Sequence, residues 1–259
     1  MRSYVLTMLF VSCLCSLSTA QTKVIAHRGS SGIAPENTLS AFQQAIDQGI
    51  EFFELDVHIT KDDSVVVIHD SSVDRTSSND KKGKVADMTF AELQKVKVGY
   101  SEKFGDRFTE EPIPSLREAL KLAKDRIKVC VEIKAYGAEE EVLRTIAELK
   151  MTDQVIIFSF HYQVLAKIRK LNADIPILYL IGTADQFTLD YAKVIKAGYI
   201  GVGGGTHLTE AFIKEAHAMG IQVWRYTVDD EETMRALIDL GIDGIISNYP
   251  DRAVKLLNH

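Results

Sequence analysis

Residues 52–70 read Phe52-Phe53-Glu54-Leu55-Asp56-Val57-His58-Ile59-Thr60-Lys61-Asp62-Asp63-Ser64-Val65-Val66-Val67-Ile68-His69-Asp70. Two apolar, β-branched runs flank a short polar turn, Lys61 to Ser64, and predict a hairpin. Alternate residues of a strand share a face, which groups Glu54, Asp56 and His58. With the four turn residues unpaired, Thr60 faces Val65, His58 faces Val67 and Asp56 faces His69. Opposed residues sit about 4.5–5.5 Å apart at Cβ. One ribbon then carries carboxylates and an imidazole within reach of one metal ion and one substrate.

Outward from this ribbon, short β-rich runs alternate with amphipathic helical ones. Strands are expected at 23–28, 52–60, 65–69, 128–134, 155–160, 176–181, 199–203, 222–228 and 243–247. Helices are expected at 36–48, 115–125, 138–150, 161–171, 185–197, 209–219, 230–240 and 250–258. Such alternation implies a parallel sheet with crossover helices. The run 65–69 follows its predecessor too closely for a crossover, so it is the antiparallel arm of the hairpin. Setting it aside leaves eight βα units, the number that closes a (β/α)8 TIM-type barrel. A doubly wound sheet is the competing fold, but no Gly-x-Gly-x-x-Gly turn follows the first strand. Residues 71–114 are polar, hold one helix-like piece from Phe90 to Val96, and are expected to form a small insertion over the barrel mouth.

The bulk composition narrows the setting. Met1-Arg2-Ser3, the apolar run Tyr4 to Leu17 and the small residues Ser18-Thr19-Ala20 match a secretory signal, too short for a membrane span. Periplasmic or secreted localisation follows; lipid attachment at Cys13 or Cys15 is the alternative. Removal of residues 1–20 takes the net charge from −6 to −7 and leaves Cys130 as the one cysteine, so no internal disulfide forms. Val129-Cys130-Val131 reads as a buried strand. The acidic balance argues against a general nucleic-acid binder. No later stretch is apolar enough for stable membrane insertion, and the sequence is silent on oligomeric state.

In such a barrel, reactive side chains gather at the C-terminal ends of strands. Those ends carry His27-Arg28-Gly29, Glu54 and Asp56, Glu132-Ile133-Lys134, and Trp224, Tyr226 and Asp229; the hairpin arm returns His69. Three carboxylates from neighbouring strand ends repel one another without a cation. Oxygen ligands suit a hard ion, Mg²⁺ or Ca²⁺. Three carboxylates, a divalent ion, Arg28 and Lys134 sum to +1, which matches a phosphodiester monoanion. Arg28 can grip two phosphate oxygens, and Lys134 acts as a point charge. Two histidines, His27 and His69, can divide the base and acid work on either side of a phosphorus.

The succession His27-Arg28-Gly29, Pro35-Glu36-Asn37-Thr38, Glu54-Leu55-Asp56, His69-Asp70 and Glu132-Ile133-Lys134 resembles the glycerophosphodiester phosphodiesterase family. The similarity runs from Lys23 to about Arg252 and includes Arg75-Thr76, Ile113-Pro114-Ser115-Leu116 and Ser159-Phe160. The resemblance implies hydrolysis of glycerophosphodiesters to glycerol 3-phosphate and an alcohol. It implies metal on Glu54, Asp56 and Glu132, with His27 as base and His69 as acid. Two stretches depart from the common pattern. Tyr226-Thr227-Val228-Asp229 stands where Trp-Thr-Val-Asn is frequent, and Ser247-Asn248 where Thr-Asp is frequent. Tyr226 is expected to wall the alcohol pocket, and Asp229 to add negative charge there. Action on lysolipids, cyclic esters or polymer-derived diesters, and binding without turnover, stay open at this point.

The remaining candidates read as structural. His58 is expected to project past the barrel toward the surface or the insertion. Gly201 to Gly205 is read as close backbone packing ahead of a phosphate cradle. Trp224 is read as core, and Asn37 or Thr38 as a helix cap.

Overall fold

A computed structural model describes residues 21–258. The signal-sequence reading of residues 1–20 lies outside the described residues. The strands are β1 (Lys23–Ala26), β2 (Phe52–Ile59), β3 (Val65–Val67), β4 (Lys128–Ile133), β5 (Val155–Ser159), β6 (Ile177–Ile181), β7 (Tyr199–Gly203), β8 (Gln222–Tyr226) and β9 (Gly244–Ser247). The helices are α1 (Leu39–Asp47), α2 (Phe90–Leu93), α3 (Ser101–Phe104), α4 (Leu116–Ala123), α5 (Glu139–Glu148), α6 (Tyr162–Leu171), α7 (Gln186–Val194), α8 (Glu210–Ala218), α9 (Glu231–Asp239) and α10 (Pro250–Leu257). All barrel strands pair in parallel, and β1 joins both β9 and β2, which closes the ring. The result is the expected (β/α)8 barrel, with β3 as the antiparallel hairpin arm.

Two layers of packing hold it. Ile25, Phe52, Cys130, Phe158, Leu178, Trp224 and Ile246 fill the barrel interior. The opposite strand faces pack against the helices, as where Phe42 of α1 stacks on Phe53 at 4.3 Å between ring centroids. Trp224 and Cys130 are fully buried, as their sequence settings implied. Gly244 is required beside that indole: a Cβ there would lie 2.7 Å from Trp224 ring carbons.

The hairpin register differs by one from the expectation. Val57 pairs with Val67, His58 with Val66 and Ile59 with Val65, and Thr60 N–H donates to the Ser64 carbonyl. The unpaired turn therefore has three residues, Lys61 to Asp63. Asp63 takes the left-handed conformation (φ 58°), the geometry that closes three-residue hairpin loops. His69 is consequently not opposite Asp56; Ile68 N–H bonds the Asp56 carbonyl instead.

The insertion has its own apolar centre, built from Val66, Ile68, Val73, Leu93, Val96 and Ile113. It contains α2, shorter than the expected piece, and also α3, which was not foreseen. Lys103 donates to the Ser31 carbonyl and Glu111 accepts from Ser40, so the insertion is tied to the loop after β1 and to the start of α1. Its exit through Pro114-Ser115 is ordered by a capping box, Ser115 with Glu118, at the start of α4.

Candidate active site

The site grows from strand parity. On β2, Phe52 points into the barrel, so Glu54, Asp56 and His58 follow on the same face. On β4 the inward series is Cys130, Glu132 and Lys134. Parallel pairing sets Glu54 beside Cys130 and Asp56 beside Glu132. Glu54, Asp56 and Glu132 are all buried, and one carboxylate oxygen from each lies within 4.8 Å of the others. Lys134 Nζ lies 2.9 Å from Glu132 Oε1 and 3.5 Å from Asp56 Oδ1.

Three buried carboxylates do not all ionise at low cost. Burial pushes Glu54 well above the usual carboxylate range, and Asp56 and Glu132 add to that rise. Burial, then Asp56, pushes Glu132 up to about 7 against the pull of Lys134. For Asp56 burial also opposes ionisation, but Lys134, Arg28 and His69 outweigh it, and its carboxyl is held low. Glu54 Oε1 is buried with no hydrogen-bond partner among the described residues. An unpartnered carboxyl oxygen beside two more carboxyl groups fits a hard divalent cation.

The loop after β1 supplies His27 and Arg28. Arg28 is left-handed (φ 55°), and so is Gly29 (φ 76°), where a Cβ would lie 2.6–2.7 Å from Ala41 backbone and side-chain atoms. This turn aims the Arg28 N–H at Glu54 Oε2, 2.9 Å away. The Arg28 guanidinium reaches Glu36 Oε1 at 3.0 Å and lies 3.4 Å from Asp56 Oδ2. Glu36 also receives Arg75, which in turn holds both oxygens of Asp70. Asp70 accepts from His69 Nδ1 at 2.7 Å. Adding Glu36, Asp70 and Arg75 to the charge sum lowers it from +1 to zero, a ring that the strand-end reading had omitted.

Several side chains of the site were not assigned from sequence. Asn37 is left-handed (φ 58°); its amide donates to Asp56 Oδ2 and accepts from the Asp56 N–H. The helix cap is its neighbour Thr38. Asn248, two residues beyond inward Ile246, meets His27 Nδ1 at 2.8 Å. Parity along β9 was the available signal for Asn248; the Pro35-Glu36-Asn37-Thr38 motif marked Asn37, which was read as a helix cap and not as a partner of Asp56. His58 is buried rather than at the surface, and its Nε2 lies 3.0 Å from the His69 carbonyl oxygen.

Asp56 acts electrostatically on the His27 imidazole, favouring its charged form. Burial, then Arg28, lowers His27 to about 4, which leaves its ring neutral near pH 7. Tyr226 lies on the rim, with its hydroxyl donating to the Ile181 carbonyl and its ring 5.8 Å edge-on from Phe160. Gly201 and Gly203 pack against that ring, as the close-packing reading expects, whereas Gly205 has open space where a side chain would stand. Asp229 is turned toward β9, where it accepts from Ser247 Oγ and from Asn248 N and Nδ2. The negative charge anticipated in the alcohol pocket is instead engaged in these bonds.

These shifts carry a testable sign. A carboxyl whose folded pKa is raised holds a proton that the unfolded chain releases, so Glu132 costs stability as pH rises from the unfolded carboxyl value of 4.5 to about 7. His27, lowered to about 4, has the opposite effect, and stability rises with pH from about 4 to the unfolded imidazole value near 6.5. The two oppose in a plain pH–Tm curve and separate when Tm with and without cation is compared at each pH. Cation must displace the carboxyl protons. The Tm gain from Mg²⁺ or Ca²⁺ is therefore expected to be larger at about pH 8 than at about pH 5. Equal gains at both would place the ion away from these carboxylates.

Comparison with known proteins identifies the family. The sequence profile described as "Glycerophosphoryl diester phosphodiesterase family" matches residues 27–252. A glycerophosphodiester phosphodiesterase of Caldanaerobacter subterraneus is 35% identical over 248 residues, covering 92% of this chain and 98% of the relative. One from Bacillus altitudinis is 35% identical over 243 residues, covering 91% and 98%. The fold is similar to that of an Oleispira antarctica phosphodiesterase solved with the product sn-glycerol-3-phosphate, with TM-score 0.84, 28% identity, and 92% and 98% of the two chains covered.

Proposed function

We propose that this chain, which belongs to the glycerophosphoryl diester phosphodiesterase family, hydrolyses glycerophosphodiesters to glycerol 3-phosphate and an alcohol, with His27 as base and His69 as acid. The observation that carries the reading is the buried triad Glu54, Asp56 and Glu132, set beside an imidazole whose Nδ1 is already engaged. Those three carboxylates would hold one divalent ion, Mg²⁺ or Ca²⁺, which when bound neutralises charge that builds on the phosphoryl oxygens.

The chain's own groups do the rest. Arg28 and Lys134 offer positive charge to the phosphate from opposite flanks of Asp56. His27, neutral near pH 7, takes a proton through Nε2 from the attacking oxygen, either water directly or the neighbouring glycerol hydroxyl, in which case water then opens the cyclic ester. His69, oriented by Asp70, gives a proton to the departing alcohol oxygen. Phe160 and Tyr226 form an aromatic wall for that alcohol. The apolar run within residues 1–20 supports an exported enzyme.

Purified protein is expected to release glycerol 3-phosphate from glycerophosphocholine or glycerophosphoethanolamine. It should lose that activity in chelator and regain it with Mg²⁺ or Ca²⁺. No turnover on any glycerophosphodiester, with turnover on lysolipids or cyclic esters in the same assay, would move the substrate assignment. Binding without turnover in either cation would remove the enzyme reading.

A further inference from the structure

His27 is fixed from behind by a short chain of hydrogen bonds. Its Nδ1 meets Asn248 Oδ1 at 2.8 Å, and its backbone N–H donates to the Ser247 carbonyl. Asn248 Nδ2 donates to Asp229 Oδ2 at 2.6 Å, while Asp229 Oδ1 accepts from Asn248 N at 2.8 Å and Ser247 Oγ at 3.0 Å. Ser31 Oγ lies 2.6 Å from Asn248 Oδ1.

An amide side chain has one donating and one accepting end. A carboxylate only accepts, so the end of Asn248 that faces Asp229 must be its NH₂ group. The carbonyl end then faces His27. A ring nitrogen that meets a carbonyl oxygen must carry the proton. We propose that Asp229, acting through Asn248, is a positioning residue that holds His27 in the tautomer protonated at Nδ1, leaving Nε2 bare for the attacking hydroxyl. This inference rests on His27 being the base in the reading above.

Asp229 and Asn248 are also two of the four positions, with Tyr226 and Ser247, at which the chain departs from the frequent pattern, which has Asn and Asp there. In space they are one contacting pair, so the two departures amount to a single exchange. An Asn at 229 and an Asp at 248 would satisfy the same contacts: the 229 carbonyl accepts from Ser247 and the 248 N–H, its NH₂ donates to the carboxylate, and the carboxylate accepts from His27. Either change alone mismatches the pair. In Asp229→Asn alone, two amide NH₂ groups face each other. Rotating Asn248 relieves that clash but presents its NH₂ to His27, which forces the proton onto Nε2 and blocks the base.

The test is ¹⁵N NMR of histidine-labelled, Mg²⁺-loaded protein, with the His27 signals assigned by their loss in His27→Gln. Wild type is expected to show His27 protonated at Nδ1. Asp229→Asn should move the proton toward Nε2 and lower kcat about 10²–10⁴-fold with KM little changed. The double variant Asp229→Asn/Asn248→Asp should restore the Nδ1 tautomer and most of the lost kcat. Three results would overturn the inference: Nε2 protonation in wild type; Asp229→Asn that loses rate with no change of tautomer; or a double variant no better than the single. If the Asp229→Asn protein does not fold, the wild-type tautomer and the double variant still decide. Full turnover by His27→Ala would instead overturn the base assignment, and the tautomer measurement would stand apart from it.

Discussion

His27→Ala and His69→Ala are each expected to lower turnover of glycerophosphocholine about 10²–10⁴-fold, the usual worth of a positioned proton-transfer group. The two losses should differ once the leaving group is changed. A substrate that releases a nitrophenolate needs little protonation of its departing oxygen, so His69→Ala should recover much of its deficit there. His27→Ala should not, because the attacking hydroxyl still has to lose its proton. The cation-induced Tm gain should persist in both variants, since the carboxylate triad is untouched. That control separates lost chemistry from lost folding. Equal recovery by both variants, or recovery by His27→Ala alone, would reverse or remove the assignment of base and acid.

Glu54→Gln is expected to act in opposite directions on rate and on stability. Glu54 is the triad member whose Oε1 is buried without a partner, and burial pushes its carboxyl well above the usual range. The glutamine carbonyl can keep the bond from the Arg28 N–H, while its NH₂ can donate to Asp56 or Glu132. Turnover should fall about 10²-fold or more, because charge stabilisation at the phosphoryl oxygens by a metal ion is worth several kcal/mol. In chelator at about pH 8, the variant should be more stable than wild type by about 1–3 kcal/mol, the range for an unsatisfied buried polar group. In a domain of this size each kcal/mol moves Tm by about 2–4 °C. A variant that is less stable in chelator, or still gains Tm on adding cation as wild type does, would count against a cation held by Glu54.

Much of this architecture was legible because its governing rules are local. The eight barrel helices and nine strands follow from hydrophobic periodicity, and most observed ends lie within a few residues of the expected ones. Helix α1 is the instructive exception. It starts three residues late because Asn37 adopts a left-handed conformation to reach Asp56 across the mouth. The hairpin register failed for a related reason. Asp63 takes a positive φ and shortens the turn by one residue, a choice available to aspartate that composition does not announce. The helix α3 is a single short turn in the insertion, too brief to show a period.

By itself, the sequence determined the barrel, the hairpin, and which strand positions point inward, since a period of two along each strand is a local property. Glu54, Asp56, Glu132 and Lys134 were therefore readable from residue spacing alone. Only the tertiary structure decided what stands behind each of them. The pairs Asp56 with Asn37, His27 with Asn248 and Glu36 with Arg75 join residues 19, 221 and 39 positions apart. Hydrogen bonds depend on separations of about 3 Å and on direction. Closure of the ring creates the His27–Asn248 contact by bringing β9 against β1, while β1–β2 pairing and the folded insertion bring the other two together, and no pattern within any one segment encodes those distances.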